Sequence, residues 1–246
     1  MYDNIAVYNR RVATAEQLPH LVDDAIRTAI AKRGVAVLEV PADFGFTEID
    51  ADSLYSTPLY SSGVTYKEYK SAPVDESDIS AAVDILNQAK RPVIYAGIGT
   101  MGHGSAVQAL SRKMKAPIIT TGKNFETFDW DFEGFTGSTF RVGWKPANEA
   151  ILEADSVLFV GTNFPFSEVE GTFRNVNKFI QIDNNPAMLG KRHQNDVAIL
   201  GDAGEAIAAI LAKVSPVNDS PWWQANVANV KNWRDYMNKL EQKNGR

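Results

Sequence analysis

Arg91-Pro-Val-Ile-Tyr-Ala-Gly-Ile-Gly-Thr-Met-Gly-His-Gly104 is the stretch on which the reading of the fold turns. Its first six residues form a short apolar run, as in a strand buried on both faces. Three glycines in the pattern Gly97-x-Gly99-x-x-Gly102 follow, and then helix-forming sequence over about 105–115. Glycines let a backbone turn tightly and approach a diphosphate, and helix N-terminal amides favour negative charge. The same glycines also serve a plain strand-to-helix turn, so alone they leave ligand binding open.

On the C-terminal side the alternation continues. Pro117 to Thr121, Ser156 to Val160, Phe179 to Ile182 and Val197 to Leu200 read as four more buried strands. Pro146 to Ala154 and Ala203 to Val214 read as helices, with a long loop over 122–145. On the N-terminal side Ile79, Val83, Leu86 and Ala89 mark a helix. Short apolar strands alternating with helices predict a Rossmann-like parallel α/β sheet with helices on both faces, over residues 75–214.

A smaller α/β segment precedes it. Leu18, Leu21, Val22, Ala25, Ile26, Ala29 and Ile30 place a helix over 16–33, with Thr14 as N-cap and Gly34 as its stop. Val35 to Val40 is a strand ended by Pro41. This pair is too small for its own core and reads as part of a larger domain over 1–50. Residues 51–74, rich in Ser, Tyr, Pro and Gly, read as a linker. After Pro216 and Pro221, the positions Trp223, Val227, Val230, Trp233, Met237 and Leu240 give one apolar helix face within 215–246, with no evident partner.

Composition removes several functions. The chain has no cysteine, which excludes disulfides, thiolate nucleophiles and Cys-ligated metals. Net charge is −5 with mixed signs and no basic block, which argues against nucleic acid. No apolar run approaches the ~18 residues of a membrane helix, and Met1-Tyr-Asp-Asn is not a signal sequence, so a cytoplasmic location is expected. His20, His103 and His193 lie in separate segments with no metal-ligand spacing, so neither a metal site nor a catalytic set is assigned. His193, in Lys191-Arg-His-Gln, reads as a solvated turn, and Trp222, Trp223 and Trp233 as packing.

The remaining polar loops fall where open α/β sheets bind ligands, at the C-terminal ends of strands. They are Thr120-Thr-Gly, Gly161-Thr-Asn-Phe-Pro165, Asp183-Asn-Asn-Pro186 and Gly201-Asp202, with Gly134-Phe-Thr-Gly-Ser138 before the short helix. Asp183 suits a ribose hydroxyl or an N-cap before Pro186, and Arg141 suits adenine, a phosphate or plain solvent. An NAD site also wants an acid ~20 positions beyond the glycines, at the end of the second strand. Thr120-Thr-Gly-Lys123 has none, which leaves FAD or another dinucleotide.

The order of these motifs resembles the central domain of thiamine-diphosphate-dependent enzymes of the pyruvate oxidase and acetohydroxyacid synthase group. Lys90 to Gly99, Lys115 to Thr121, Lys145-Pro-Ala-Asn-Glu-Ala150, Gly161 to Phe166 and Gln181-Ile-Asp-Asn-Asn-Pro-Ala187 carry the likeness. Leu18 to Asp43 is similar to the end of that family's pyrimidine-binding domain. Pro221 to Trp233 is similar to its connection into a third domain. Within the group the likeness is greatest to the FAD-containing pyruvate oxidases of lactic-acid-type bacteria.

The resemblance implies FAD along the C-terminal strand edge. Gly97, Ile98 and Gly99 would pass the diphosphate or ribityl region. Thr121, with Phe135, Thr136, Gly137 and Ser138, would line the ribityl and flavin-ring side. Gly161, Thr162, Asn163, Phe164 and Pro165 would follow the flavin chain. Asp183, with Asn184, would bind the adenosine ribose, Asp202 and Ala203 would border the adenine, and Arg141 would lie near the adenosine half. It also implies a longer parent protein. There thiamine diphosphate and Mg2+ sit outside this stretch, pyruvate and phosphate are substrates, oxygen is the acceptor, and four copies assemble. Gly201-Asp-Ala-Gly204 lacks the Gly-Asp-Gly…Asn-Asn pattern of the metal-diphosphate site. Other outcomes within the family are an acetohydroxyacid synthase-like or quinone-reducing enzyme with structural flavin or none. Outside it stand a sirtuin-like NAD-binding domain and a non-catalytic interface module.

Overall fold

A computed structural model describes residues 2–50, 70–140, 143–162 and 171–243. The chain divides into two compact units, Met1–Lys70 and Ser71–Arg246.

In the first unit β1 (Ala6–Arg11) pairs in parallel with β2 (Val35–Glu39), and α1 (Leu18–Lys32) connects them. Sequence reasoning missed β1, because Ala-Val-Tyr-Asn-Arg-Arg has neither an apolar run nor clean alternation. The helix ends on Arg33, which takes the left-handed conformation at φ 48, rather than on Gly34. Gly34 is needed for another reason: any side chain there would run into Val7 on the neighbouring strand. Among the described residues only Val12, Ala15 and Ala25 are buried apolar positions of this unit.

The second unit is a six-stranded parallel sheet. Its strands are β3 (Pro92–Ala96), β4 (Ile118–Thr120), β5 (Phe135–Ser138), β6 (Ser156–Val160), β7 (Lys178–Asp183) and β8 (Val197–Leu200). They lie side by side as β5-β4-β3-β6-β7-β8, all parallel. Counted from the first strand of this sheet, that is 3-2-1-4-5-6, the order of the dinucleotide-binding α/β fold.

Five of the six strands are the apolar runs seen in the sequence. The sixth, β5, falls in the stretch expected to be loop. Phe-Thr-Gly-Ser carries little strand signal, and Gly137 adopts φ 89 within it. Tertiary pairing with β4 decides the matter, helped by a bond from Thr136 Oγ1 to Ile118 O at 2.7 Å.

Alternate side chains of the strands feed two cores. Ile94, Ile118, Leu158, Ile180, Ile182 and Ile199 join α2 (Glu76–Gln88), α3 (Gly104–Met114) and α5 (Ala203–Lys213) on one face. Val93, Tyr95, Ile119, Val157 and Phe159 join α4 (Lys145–Glu153) on the other. Asp75 caps α2 by accepting from Ser77 N, and hydrogen bonds from the Ser77 hydroxyl and then its N–H hold the Asp75 carboxyl below the usual range.

The last helix, α6 (Pro221–Lys243), has a partner that the sequence did not reveal. Trp222 packs in the second core and donates its indole N–H to Pro92 O at 3.0 Å. Trp223 packs in the first core beside Phe132. Arg234 donates to the carbonyls of Trp130 and Phe132. Among the large apolar side chains described for this helix, Tyr236 and Met237 in its distal half are exposed. No helix among the described residues is long and apolar enough to cross a membrane.

Candidate functional site

A parallel sheet in this order reverses direction of progress between β3 and β6, so their following loops diverge to opposite faces and leave a crevice at the C-terminal edge. Here that crevice is floored by glycine. Gly97 N donates to Val160 O at 2.8 Å, and Gly99 N donates to Gly161 O at 3.1 Å. A methyl group added at Gly99 would stand 2.6 Å from Gly161 Cα, and one at Gly97 would stand 2.5 Å from Gly161 O. Gly161 itself has φ 58. The glycines are thus required by the contact of one loop with the other.

This changes the meaning of the glycine turn. Helix α3 does not spring directly from it: a short 3-10 turn, Ile98–Thr100, intervenes, and α3 begins only at Gly104. Gly102, at φ 82 with open space around it, is a turn residue. The turn leaves Ile98 and Gly99 exposed at the edge while Gly97 is buried.

A buried polar network holds the turn from below. Thr100 Oγ1 donates to Gly97 O at 2.8 Å. Asn124 Nδ2 donates to Thr100 Oγ1 at 2.8 Å, and Asn124 Oδ1 accepts from Thr127 Oγ1 at 2.6 Å. Thr120 Oγ1 bonds to Ala96 O at 3.3 Å. Asn124 is 1% exposed, yet sequence reasoning passed over it, because a loop asparagine looks the same whether solvated or buried.

At the β4–β5 end, Thr121 is half-buried and its N–H bonds to Ala96 O. Phe135 and Thr136 are wholly buried, and Phe135 sits among Phe125, Phe128, Trp130 and Trp144. The expected flavin-facing loop is therefore a core strand. Gly137 lies against the Trp144 ring, and Ser138 is buried with its carbonyl accepting from Trp144 N. The Tyr95 hydroxyl bonds to Thr139 Oγ1 at 2.6 Å, tying β3 to the end of β5; burial pushes its pKa up to about 12.

At the β7–β8 end, Asp183 Oδ1 accepts from Asn185 N at 2.8 Å in a turn rather than capping a helix. Asp183 and Asn184 are half-exposed. Asp202 caps α5, accepting from Gly204 N at 2.8 Å and Glu205 N at 3.1 Å, while Ala203 is buried. The His103 ring lies against Gly204, with Nε2 3.9 Å from Asp202 Oδ1. His193 is not a solvated turn residue: it stacks on Phe179 at 4.4 Å. Arg141, Asn163, Phe164 and Pro165 lie outside the described residues. Among the described residues no cluster of His, Cys, Asp and Glu could hold a metal ion.

The loops after β4, β3, β6, β7 and β8 form one strip. Four inter-strand steps make it roughly 19 Å long, suited to an extended dinucleotide. Carboxylates occur at the β7–β8 end, as Asp183 and Asp202, where hydroxyls and an amine would bond. In the middle, Gly97–His103 and the described Gly161–Thr162 carry none, so a diphosphate meets no like charge there. The residues present fit such a group. The depression lined by Ile85, Gln88, Ser156 and Lys178 opens at the N-terminal ends of β6 and β7, away from this strip.

Comparison with known proteins agrees with this geometry. The thiamine pyrophosphate enzyme central domain matches residues 79–210. A pyruvate oxidase of Lactiplantibacillus plantarum is 43% identical over 99% of this chain and 40% of its own length. A putative thiamine pyrophosphate-containing protein of Bacillus subtilis is 30% identical over 98% of this chain and 40% of its own. An acetolactate synthase of Arthrospira platensis is 28% identical over 85% of this chain and 37% of its own. The chain thus spans about two-fifths of the length of these curated relatives.

Proposed function

Because the chain belongs to the thiamine pyrophosphate enzymes, whose central domain it carries over residues 79–210, we propose that it is part of a pyruvate oxidase and binds FAD along its C-terminal strand edge. The strip of loops centred on the Gly99–Gly161 crossing carries this reading.

On this reading Gly97, Ile98, Gly99, Gly161 and Thr162 receive the diphosphate and flavin chain through backbone, the three glycines leaving room for its close approach. Thr121, Gly137 and Ser138 border the flavin side, and Phe135 and Thr136 act by fixing β5 from within the core. Asp183 and Asn184 hold the adenosine ribose; Asp202 and Ala203 border the adenine. By the family resemblance, Asn163, Phe164 and Pro165 would follow the flavin chain and Arg141 would serve the adenosine half. Residues 1–50 correspond to the end of a pyrimidine-binding domain, 51–74 to a linker, 75–214 to the FAD domain and 215–246 to a helix leading onward.

Bound FAD would accept the two electrons of oxidative decarboxylation and pass them to oxygen. The parent reaction is pyruvate, phosphate and oxygen to acetyl phosphate, carbon dioxide and hydrogen peroxide. Thiamine diphosphate and Mg2+ are held elsewhere in the parent, a cytoplasmic homotetramer. The chain's own part is to seat the acceptor and exclude water from one side of it.

Similarity to acetolactate synthases favours a second reading, in which the same edge holds flavin only structurally or not at all. Anaerobic pyruvate added to the full-length thiamine-loaded protein separates the two. Bleaching of the flavin band near ~450 nm supports the oxidase, and a flavin that stays oxidised overturns it.

A further inference from the structure

We infer that Gln181 is a positioning residue that sets the two loops at the ends of β6 and β7 in register for the nucleotide. The inference rests on the reading that a dinucleotide lies along this edge.

Gln181 stands mid-strand in β7, between Phe159 on β6 and Ala198 on β8. Its neighbours Ile180 and Ile182 are fully buried, and Gln181 itself is only 7% exposed. A buried amide here is costly unless every polar atom is satisfied. All four of its bonding positions are in fact used. Nε2 donates to Thr162 O at 3.3 Å and to Met188 O at 3.1 Å. Oε1 accepts from Gly190 N at 2.9 Å and from Asn195 Nδ2 at 2.8 Å.

The partners fix the orientation of the amide, since two carbonyls can only accept and a backbone N–H can only donate. They also belong to two different connections, the one that follows β6 and the one that joins β7 to β8. Thr162 follows β6 beside Gly161, at the crossing. Met188 and Gly190 close the loop that begins at Asp183. Asn195 leads into β8. One side chain therefore spaces the residue next to the proposed diphosphate site from the loop that carries the proposed ribose ligand. An apolar side chain of the same volume would fill the space but leave Thr162 O, Met188 O and Gly190 N without this partner.

Gln181→Glu in the whole protein tests the idea. The introduced carboxylate keeps both acceptor roles, loses both donors, and faces two carbonyl oxygens. FAD affinity, compared with wild type at each pH, is expected to fall about tenfold or more in mild alkali and to recover in part as the carboxyl protonates in mild acid. Gln181→Met, which removes all four bonds at similar volume, is expected to lose affinity by about the same factor at every pH, and serves if the first variant does not fold. The inference is overturned if both variants bind FAD as wild type does, or if affinity falls only in step with the melting temperature of the FAD-free protein and without recovery in acid. A wild-type protein that binds no FAD overturns the reading of the edge itself, and this inference with it.

Discussion

Gly99 and Gly161 touch through their backbones: a side chain on either residue would penetrate the other's main chain. Gly161 is also at φ 58, where a Cβ is strained even in free space. Gly161→Ala should therefore cost about 3 kcal/mol, and Gly99→Ala about 2 kcal/mol, from overpacking plus strain. Gly122→Ala, where nothing lies within 4 Å, should stay within about 0.5 kcal/mol. Urea unfolding of the three variants checks the ranking; equal losses at all three positions would remove the crossing as its cause.

Asn124 is buried and bonded to Thr100 and Thr127. Asn124→Leu should lose about 1–2 kcal/mol, because it removes the amide donor from the buried Thr100 hydroxyl, which keeps its bond to Gly97 O, and the acceptor from the half-buried Thr127 hydroxyl. A double-mutant cycle with Thr100→Val should show coupling of about 1 kcal/mol, whereas additive losses would mean the two side chains act separately.

Burial pushes the Tyr95 phenol from its ordinary value of 10.0 up to about 12. The neutral phenol is thus favoured by folding. Its contribution is complete below pH about 10 and is lost as pH rises toward about 12, for a total on the order of 2–3 kcal/mol. Tyr95→Phe should flatten that alkaline loss, read as the slope of unfolding free energy against pH; an unchanged slope would place its origin elsewhere.

Asp183→Asn keeps the oxygen that accepts from Asn185 N, so the turn should survive. On the proposed function the variant should bind FAD about tenfold more weakly, through the lost charge-assisted bond to the ribose. Fluorescence titration with FAD measures it, and wild-type affinity would move the ribose to another residue.

Much of the fold was legible because parallel strands buried on both faces need continuous apolar runs, as in Pro92–Ala96 and Ser156–Val160, while the edge strand Val197–Leu200 shows the same run although it buries only alternate residues. What escaped were elements whose stability is borrowed. Strand β5 exists through β4 and an aromatic cluster, and β1 through β2. The left-handed residue ending α1 is Arg33, while Gly34 serves the close approach of Val7, and residue type alone assigns the two roles the other way round. At the candidate site, the loop glycines and Asp183 announced themselves by type and position. Asn124 and Gln181 did not, since an amide's role depends on partners far off in sequence. The direction of Phe135 was not legible either, since a residue name gives none and the strand turns its ring inward.

Trp222 and Trp223 are adjacent in sequence yet enter different cores, one on each face of the sheet. Helix α6 therefore acts as a rivet through the end of the sheet opposite the loops. Loosening of either layer frees the tryptophan it holds and so works against the seat of the other, which couples the two faces through one helix turn. Force applied along α6 is borne by both at once, which makes this helix a handle by which the loop-bearing edge can be held as a rigid whole.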